Sequence, residues 1–126
     1  MAYLRKEKEI VEVDYPIGRV WEAIEKAIAG LGWQIEQKNQ PNHQVKTKTK
    51  SNFMAYASLL TIDAFAESEN KTRITVSAET PVTTITGIVD FGRTRERIDS
   101  FLLALVKELK SGDTNAKEVA NEKETD

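Results

Sequence analysis

The sequence predicts one α+β domain in which two amphipathic helices pack against an antiparallel sheet of about five short strands. Two apolar stripes with helical spacing lie towards the two ends of the chain. Between them run segments in which apolar and polar residues alternate, separated by turn-forming residues as in a meander of hairpins. The predicted order of elements is therefore β-α-β-β-β-β-α.

The first strand and the first helix are predicted from residues 9–31. Residues 9–15 are rich in β-branched side chains that alternate with charged ones. Pro16 follows, and proline suits the first turn of a helix. The helical stripe consists of Ile17, Val20, Trp21, Ile24, Ile28 and Leu31. Gly30 and Gly32 then predict the end of this helix.

Four further strands are predicted in the middle of the chain. Apolar and polar residues alternate over residues 33–37, 45–50, 53–65 and 73–80. Residues 39–43 combine asparagine, proline and histidine between the first two of these strands, which is typical of a turn. Residues 82–89 fit either a strand or a loop.

The second helix is predicted to be the longer one and to end near residue 110. Asp90 belongs to the residue types that cap helix N-termini. The apolar stripe that follows consists of Phe91, Ile98, Phe101, Leu102, Leu105 and Leu109. Beyond residue 110, Val119 is the only large apolar side chain, so the remaining chain cannot offset its ordering entropy.

Charge separates the domain from its tail. We predict an N-terminal extension at residues 1–8, a single domain at residues 9–110 and an acidic disordered tail at residues 111–126. The tail has five acidic residues and two lysines, for a net charge of −3, whereas the rest of the chain has a net charge of +1. A nearly neutral domain gives no reason to expect nucleic acid as a partner.

The composition excludes several kinds of site and of location. The chain has no cysteine, which excludes disulfides, thiolate metal sites and cysteine nucleophiles. It has one histidine, His43, so a site with several histidine ligands is excluded, and we predict neither a metal nor a cofactor. No run of about 18 apolar residues occurs. No apolar stretch follows the basic start of the chain, so we expect a cytoplasmic protein without a signal peptide or a membrane span.

The order of motifs resembles a known superfamily. Residues 11–24 run from a strand through a proline into a helix that begins Val20-Trp21, and this resembles the start of START-like and polyketide-cyclase-like helix-grip domains. Residues 71–77 are similar to later strands of that family, and the helix at residues 91–109 stands where its gripped C-terminal helix would be. The resemblance covers about residues 9–110, and the order β-α-β4-α also resembles one half of a TATA-binding-protein-like fold.

The resemblance implies a binding protein for small apolar molecules, with the ligand between the sheet and the long helix. Some members of the family are enzymes, but none of their catalytic residues can be matched to this sequence. His43 lies in a turn, where a general base would have neither an orienting partner nor a pocket. We therefore predict no catalytic residue and no catalytic activity.

The covered face of the sheet is where we expect the ligand. If Val45 and Leu60 point inward, one end of this face is polar and the other is apolar. A pocket with an apolar body and a few hydroxyl groups is typical of small-ligand sites. The predicted ligand-binding residues are Trp21, Thr47, Thr49, Tyr56 and Ser58. The alternatives are that the polar end lies beyond the cover of the helix and meets water, and that the tryptophan is core.

Two groups of basic residues have both a functional and a structural interpretation. The first group is Lys46, Lys48 and Lys50, which share one strand face. They form either a surface that binds phosphate groups or single-stranded nucleic acid, or an exposed or edge strand whose charges protect it against aggregation. The nearly neutral domain favours the second interpretation. The second group is Arg93, Arg95 and Arg97, which open the second helix. The three do not converge, but Arg93 and Arg97, four residues apart, share a side and could clamp an anionic group or a partner. The commoner case is that they form surface pairs with the neighbouring acids.

These observations predict a domain that binds a small apolar or amphipathic, lipid-like molecule without catalysis. The alternative is a protein-interaction or homodimerisation module that uses the sheet face or edge, and it depends on unpaired strand ends near residues 45–50. A small cyclase- or hydrolase-like enzyme is a third hypothesis, and it requires a titratable group inside the domain.

Overall fold

A computed structural model of the chain describes residues 3–50, 57–82 and 93–117, and these form two helices and five strands. The strands are β1 (Tyr3–Val13), β2 (Gln34–Asn39), β3 (Gln44–Lys48), β4 (Leu59–Ser68) and β5 (Lys71–Val82), and the helices are α1 (Ile17–Leu31) and α2 (Arg93–Lys117). Their order confirms the predicted β-α-β-β-β-β-α arrangement. Neither of these helices has an apolar stretch long enough to cross a membrane.

The five strands form one antiparallel sheet in the order β1-β5-β4-β3-β2. The first strand therefore pairs with the last, from Tyr3 opposite Val82 to Val13 opposite Thr72. The edges of the sheet are β1 and β2. The lysine-bearing strand β3 has a neighbour on each side, with Lys46 opposite both Gln37 and Thr61. The interaction hypothesis depends on unpaired strand ends near residues 45–50, and Gln44–Lys48 is instead paired on both sides. Alternation reveals the two faces of a strand but not its neighbours.

Two elements extend further than the sequence predicts. β1 begins at Tyr3, six residues before the predicted strand, because the backbone of the charged segment pairs with β5. α2 continues past residue 110 to Lys117. Residues 51–56, which include Tyr56, and residues 83–92, which include the predicted cap Asp90 and most of the ambiguous segment, lie outside the described residues, as do residues 118–126.

Both apolar stripes pack on the same face of the sheet. From α1 the fully buried side chains include Val20, Ile24 and Ile28, and from α2 they include Ile98, Phe101, Leu105 and Leu109. They meet the inward residues Leu60, Ile62, Ile74 and Val76 of the central strands. The guanidinium of Arg19 on α1 donates a hydrogen bond of 2.5 Å to the carbonyl of Leu109, which joins the start of α1 to the second half of α2. The helices therefore cover the sheet together.

The end of α1 is set by Gly32, as predicted. This residue has φ 73°, in the left-handed region that favours glycine, and its N–H bonds to the carbonyl of Ala29 at 3.0 Å. A Cβ at this position would lie 3.3 Å from the Nζ atom of Lys50. The turn after α1 thus brings β2 beside the end of β3, at the side of the sheet where the polar residues lie.

Candidate ligand-binding site

Buried hydroxyl groups occupy one end of the covered sheet face. Thr47 and Thr49 come from β3 and the segment after it, Ser58 precedes β4, Thr80 lies near the end of β5, and Thr94 lies in the first turn of α2. All five are at most 5% exposed. The covered face therefore divides into a polar and an apolar end, and the alternative in which the polar end meets water is wrong for these residues.

Three of these residues form a hydrogen-bonded chain, which we call the hydroxyl chain: Ser58, Thr80 and Thr94. The Oγ1 atoms of Thr80 and Thr94 are 2.8 Å apart, and the Oγ atom of Ser58 bonds to that of Thr80. The guanidinium of Arg97, one turn along α2 from Thr94, donates to the Oγ atom of Ser58. A guanidinium can only donate. The hydroxyl of Ser58 therefore accepts from Arg97, whereas either hydroxyl can be the donor in the bonds that join Ser58 to Thr80 and Thr80 to Thr94.

Thr49 lies beside this chain, whereas Thr47 has a different partner. The Oγ1 atom of Thr49 accepts a bond of 2.9 Å from the N–H of Ser58, and the N–H of Thr49 donates to the carbonyl of Ser58, also at 2.9 Å. The hydroxyl of Thr47 donates to the carbonyl of Gln34 at 2.8 Å and so links β3 to β2. Of the predicted site residues, the structure brings together Thr49 and Ser58.

Trp21 lies at the other end of the domain. Its ring meets that of His43 edge to face, with 5.4 Å between centroids, and the carbonyl of His43 accepts from the N–H of Ala64. Ala64 is six residues along β4 from Ser58, which corresponds to about 20 Å. Trp21 is 5% exposed and belongs to the core, and its Nε1–H has no hydrogen-bond partner among the described residues. A helical stripe reveals the buried face of a helix but not the end of the sheet that it meets.

The arginines that open α2 do not act as one group. Arg95 forms ion pairs with Glu9 of β1 at 2.6 Å and with Asp99 at 3.4 Å, as the surface-pair interpretation predicts. The hydrogen bond to Glu9 raises the pKa of Arg95. Arg97, two residues on, points instead to the hydroxyl chain. The side chain of Arg93 lies outside the described residues.

Sequence reasoning missed Thr80 and Thr94 as site residues. Thr80 lies on the same face of β5 as Ile74, Val76 and Ala78, which are all buried. The alternation of β5 was therefore a usable signal. Thr94 is four residues before Ile98, on the buried side of α2. No local sequence pattern indicates that these two threonines lie beside Ser58.

A groove of 640 Å³ lies on the face of the sheet opposite α1 and α2. Its floor includes Ala57 and Leu59, and its lining also includes Glu36, Gln37, Lys46, Lys48, Ser58 and Glu79. The two lysines and two glutamates balance in charge. Within the described ranges, no three histidine or carboxylate side chains lie close enough to hold a metal ion.

The five-stranded antiparallel sheet, with the long C-terminal helix across one face, is the START-like helix-grip fold that the motif order indicated. Solved structures confirm this class. No protein-family model matches the sequence, and no curated protein matches it either.

Two enzymes are among the similar solved structures. Norcoclaurine synthase from Thalictrum flavum, as a point mutant in complex with a transition-state analogue, has a TM-score of 0.68 and 10% identity, over 90% of this chain and 98% of that one. The same enzyme with dopamine and hydroxybenzaldehyde has a TM-score of 0.65 and 10% identity, over 87% and 88%. The ZhuI aromatase/cyclase from a Streptomyces species has a TM-score of 0.59 and 11% identity, over 95% and 100%.

These structures correct the prediction that the domain is not an enzyme. That prediction treated the resemblance as one to a binding fold, and it is wrong because structures similar to this chain belong to a synthase and an aromatase/cyclase. Identities of 10–11% establish the fold alone, so the comparison assigns no reaction to this chain.

Proposed function

We propose that this protein binds a small amphipathic molecule at the polar end of the covered sheet face. The ligand's polar group bonds to Arg97 and the hydroxyl chain, and its apolar part contacts the adjoining core. The observation that carries this proposal is the hydroxyl chain itself, in which buried residues from the segment before β4, from β5 and from α2 converge. A few convergent polar groups beside an apolar body are typical of small-molecule sites.

The surroundings of the hydroxyl chain support the amphipathic character of the ligand. Ile98 follows Arg97 directly on α2, Ala78 precedes Thr80 by two residues on the same face, and Leu60 follows Ser58 in the same way; all three apolar side chains are fully buried. Apolar core side chains therefore adjoin the hydroxyl chain. The norcoclaurine synthase structure with dopamine and hydroxybenzaldehyde supports the idea that this fold accommodates small molecules of mixed polarity.

The groove on the opposite face is the weaker place for such a ligand. Its lysines and glutamates oppose one another in charge, and they come from the face of the sheet on which neither α1 nor α2 packs. The other face offers both the cover of α2 and buried hydroxyl groups. We therefore place the proposed site under α2.

Native mass spectrometry of the protein purified from its own host tests the proposal, since it reports a bound small molecule directly. We expect a bound organic molecule in the native protein, and its loss from the Thr80→Val variant. The matched control is Thr72→Val, because Thr72 is also fully buried on β5 but bonds to the carbonyl of Tyr15 at the other end of the strand. Equal loss in both variants, or a native protein without any bound molecule, would count against this site.

A further inference from the structure

Four lysines lie together on the face of the sheet opposite the helices. Strand pairing aligns two neighbouring rows of side chains across β1, β5, β4 and β3, which we call the lysine patch. One row is Lys8, Ser77, Thr61 and Lys46, and the other is Lys6, Glu79, Leu59 and Lys48. The lysines therefore form one pair on β1 and one pair on β3. The pairs are about 14 Å apart across the sheet, and the members of each pair are about 7 Å apart along the strand.

The charges of the lysine patch are not balanced. Two glutamates accompany the four lysines, namely Glu79 within the patch and Glu36 in the groove beside it, which leaves a net charge of +2. Three of the lysines are exposed, and Lys46 is half-buried. None of the four forms an ion pair with another described residue. The patch therefore presents positive charge to a partner.

The position of the second lysine pair indicates a role in binding. Lysines on an edge strand protect it against pairing with other chains, which accounts for Lys6 and Lys8 of β1. This reason does not apply to Lys46 and Lys48, because β3 has a neighbour on each side. A partner of opposite charge accounts for both pairs at once.

We propose that the lysine patch binds residues 118–126 of a second copy of this chain, which we call the acidic segment. The segment has four acidic residues and one lysine, for a net charge of −3. Glu122, Glu124 and Asp126 stand at alternate positions. An extended backbone would place their carboxylates on one side at intervals of about 7 Å, which equals the spacing within each lysine pair.

The acidic segment of the same chain is too short to reach the patch. Thr94 bonds to Thr80, the neighbour of Glu79, so the beginning of α2 is level with the patch. From there α2 rises about 35 Å to Lys117. The residues from Lys117 to Glu122 span at most about 18 Å, and the patch is on the other side of the sheet. A second copy therefore supplies the segment, and reciprocal binding by both copies gives a closed dimer.

Sedimentation velocity of the full chain over a series of protein concentrations tests this inference. We expect a dimer at low salt whose dissociation constant rises about tenfold or more between about 20 and 500 mM salt, because salt screens exposed charges. The double variants Lys46→Gln/Lys48→Gln and Glu122→Gln/Glu124→Gln should each weaken the dimer about tenfold at low salt, because each removes several exposed ion pairs.

Two further variants separate specific pairing from net charge. Lys26→Gln/Lys107→Gln removes two exposed lysines from α1 and α2, and it should leave the dimer unchanged. A charge exchange should restore the dimer that either of its halves abolishes. It combines the substitutions Lys46→Glu, Lys48→Glu, Glu122→Lys and Glu124→Lys.

The contrary outcomes are equally distinct. A monomer at every salt and protein concentration overturns the inference, as does a dimer that neither salt nor the double variants weaken. An equal effect of Lys26→Gln/Lys107→Gln would make net charge the cause and overturn the patch. If the variant at positions 46 and 48 does not fold, Lys6→Gln/Lys8→Gln removes the other lysine pair for the same comparison. The hydroxyl chain is on the other face of the sheet, so each of these outcomes leaves the proposed function standing.

Discussion

Replacing the central residue of the hydroxyl chain, by Thr80→Val, should destabilise the protein more than the same change elsewhere on β5. Valine has nearly the shape of threonine and a similar preference for strands, so the backbone is not disturbed. The hydroxyl of Thr80 has two partners, Ser58 and Thr94, and all three residues are fully buried. The substitution therefore removes two hydrogen bonds at once and leaves both partners in place.

The expected loss follows from the two hydrogen bonds. Each contributes about 0.5–1.5 kcal/mol, and the new methyl group returns about 0.8 kcal/mol by apolar burial. The net loss should be about 1–2 kcal/mol. Thr72→Val breaks one bond, to the carbonyl of Tyr15, which is on a half-buried residue that water can reach. Its loss should stay below about 1 kcal/mol.

Urea unfolding, followed by the fluorescence of Trp21 and Trp33, measures both losses. With a slope of about 1–3 kcal/mol per molar urea, Thr80→Val should lower the midpoint by roughly 1 M. In the double variant with Ser58→Ala, the loss should be less than the sum of the single losses, because the two residues share a bond. If the two losses simply add, or if Thr80→Val costs no more than Thr72→Val, the reasoning from the hydroxyl chain is refuted.

Three further predictions concern the end of α1, the core and Glu67. Gly32→Ala should lower the free energy of unfolding by about 1 kcal/mol, because Gly32 has a left-handed backbone conformation. Gly30→Ala inside α1 should raise it by about 0.5–1 kcal/mol, because a Cβ there meets nothing within 4 Å. Thermal unfolding measures both changes. Phe101→Ala should lower the free energy of unfolding by about 3–5 kcal/mol in urea, because this ring of α2 is fully buried in the core. The pKa of Glu67 lies above its usual range, chiefly because of its hydrogen bond with Glu12. The stabilisation that this hydrogen bond gives the folded state is present at low pH and is lost as the pH rises through the pKa of Glu67. Glu12→Gln should lower the pKa of Glu67 in an NMR titration.

Each of these has a contrary result. An alanine at position 32 that is as well tolerated as one at position 30 would mean that the chain leaves α1 without a left-handed residue. A cost below about 1 kcal/mol for Phe101→Ala would place the ring outside the core. A Glu67 titration that Glu12→Gln does not change would show that burial or another neighbour raises its pKa.

The elements and their inward faces could be predicted from the sequence because each depends on a local period. The spacing of Val20, Ile24 and Ile28 needs only the helical repeat, and the parity of Ser58 with Leu60 needs only the pleat. Alternation identifies a strand only where one face is apolar. It therefore missed the charged start of β1, which is a strand because its backbone pairs with β5.

The candidate site could be predicted only in part because it depends on contacts between distant segments. Parity placed Thr49 and Ser58 on the covered face, and the structure joins them by hydrogen bonds. The other partners of Ser58 are 22 and 39 residues away, at Thr80 and Arg97. Their meeting requires the register of β4 with β5 and the angle at which α2 crosses both. Neither quantity is encoded in a local pattern.

The hydroxyl chain also suggests why a ligand would matter to this domain. One half of α2 is held by Phe101, Leu105 and Leu109, whose burial contributes about 1.5–3 kcal/mol each. The beginning of α2 is held by the buried side chain of Ile98 and by the hydrogen bonds of Thr94 and Arg97, which contribute about 0.5–1.5 kcal/mol each. An amphipathic ligand at the hydroxyl chain would add contacts at this end of the helix. Its binding free energy and the docking of α2 would therefore be linked, because both use the same contacts between the helix and the sheet.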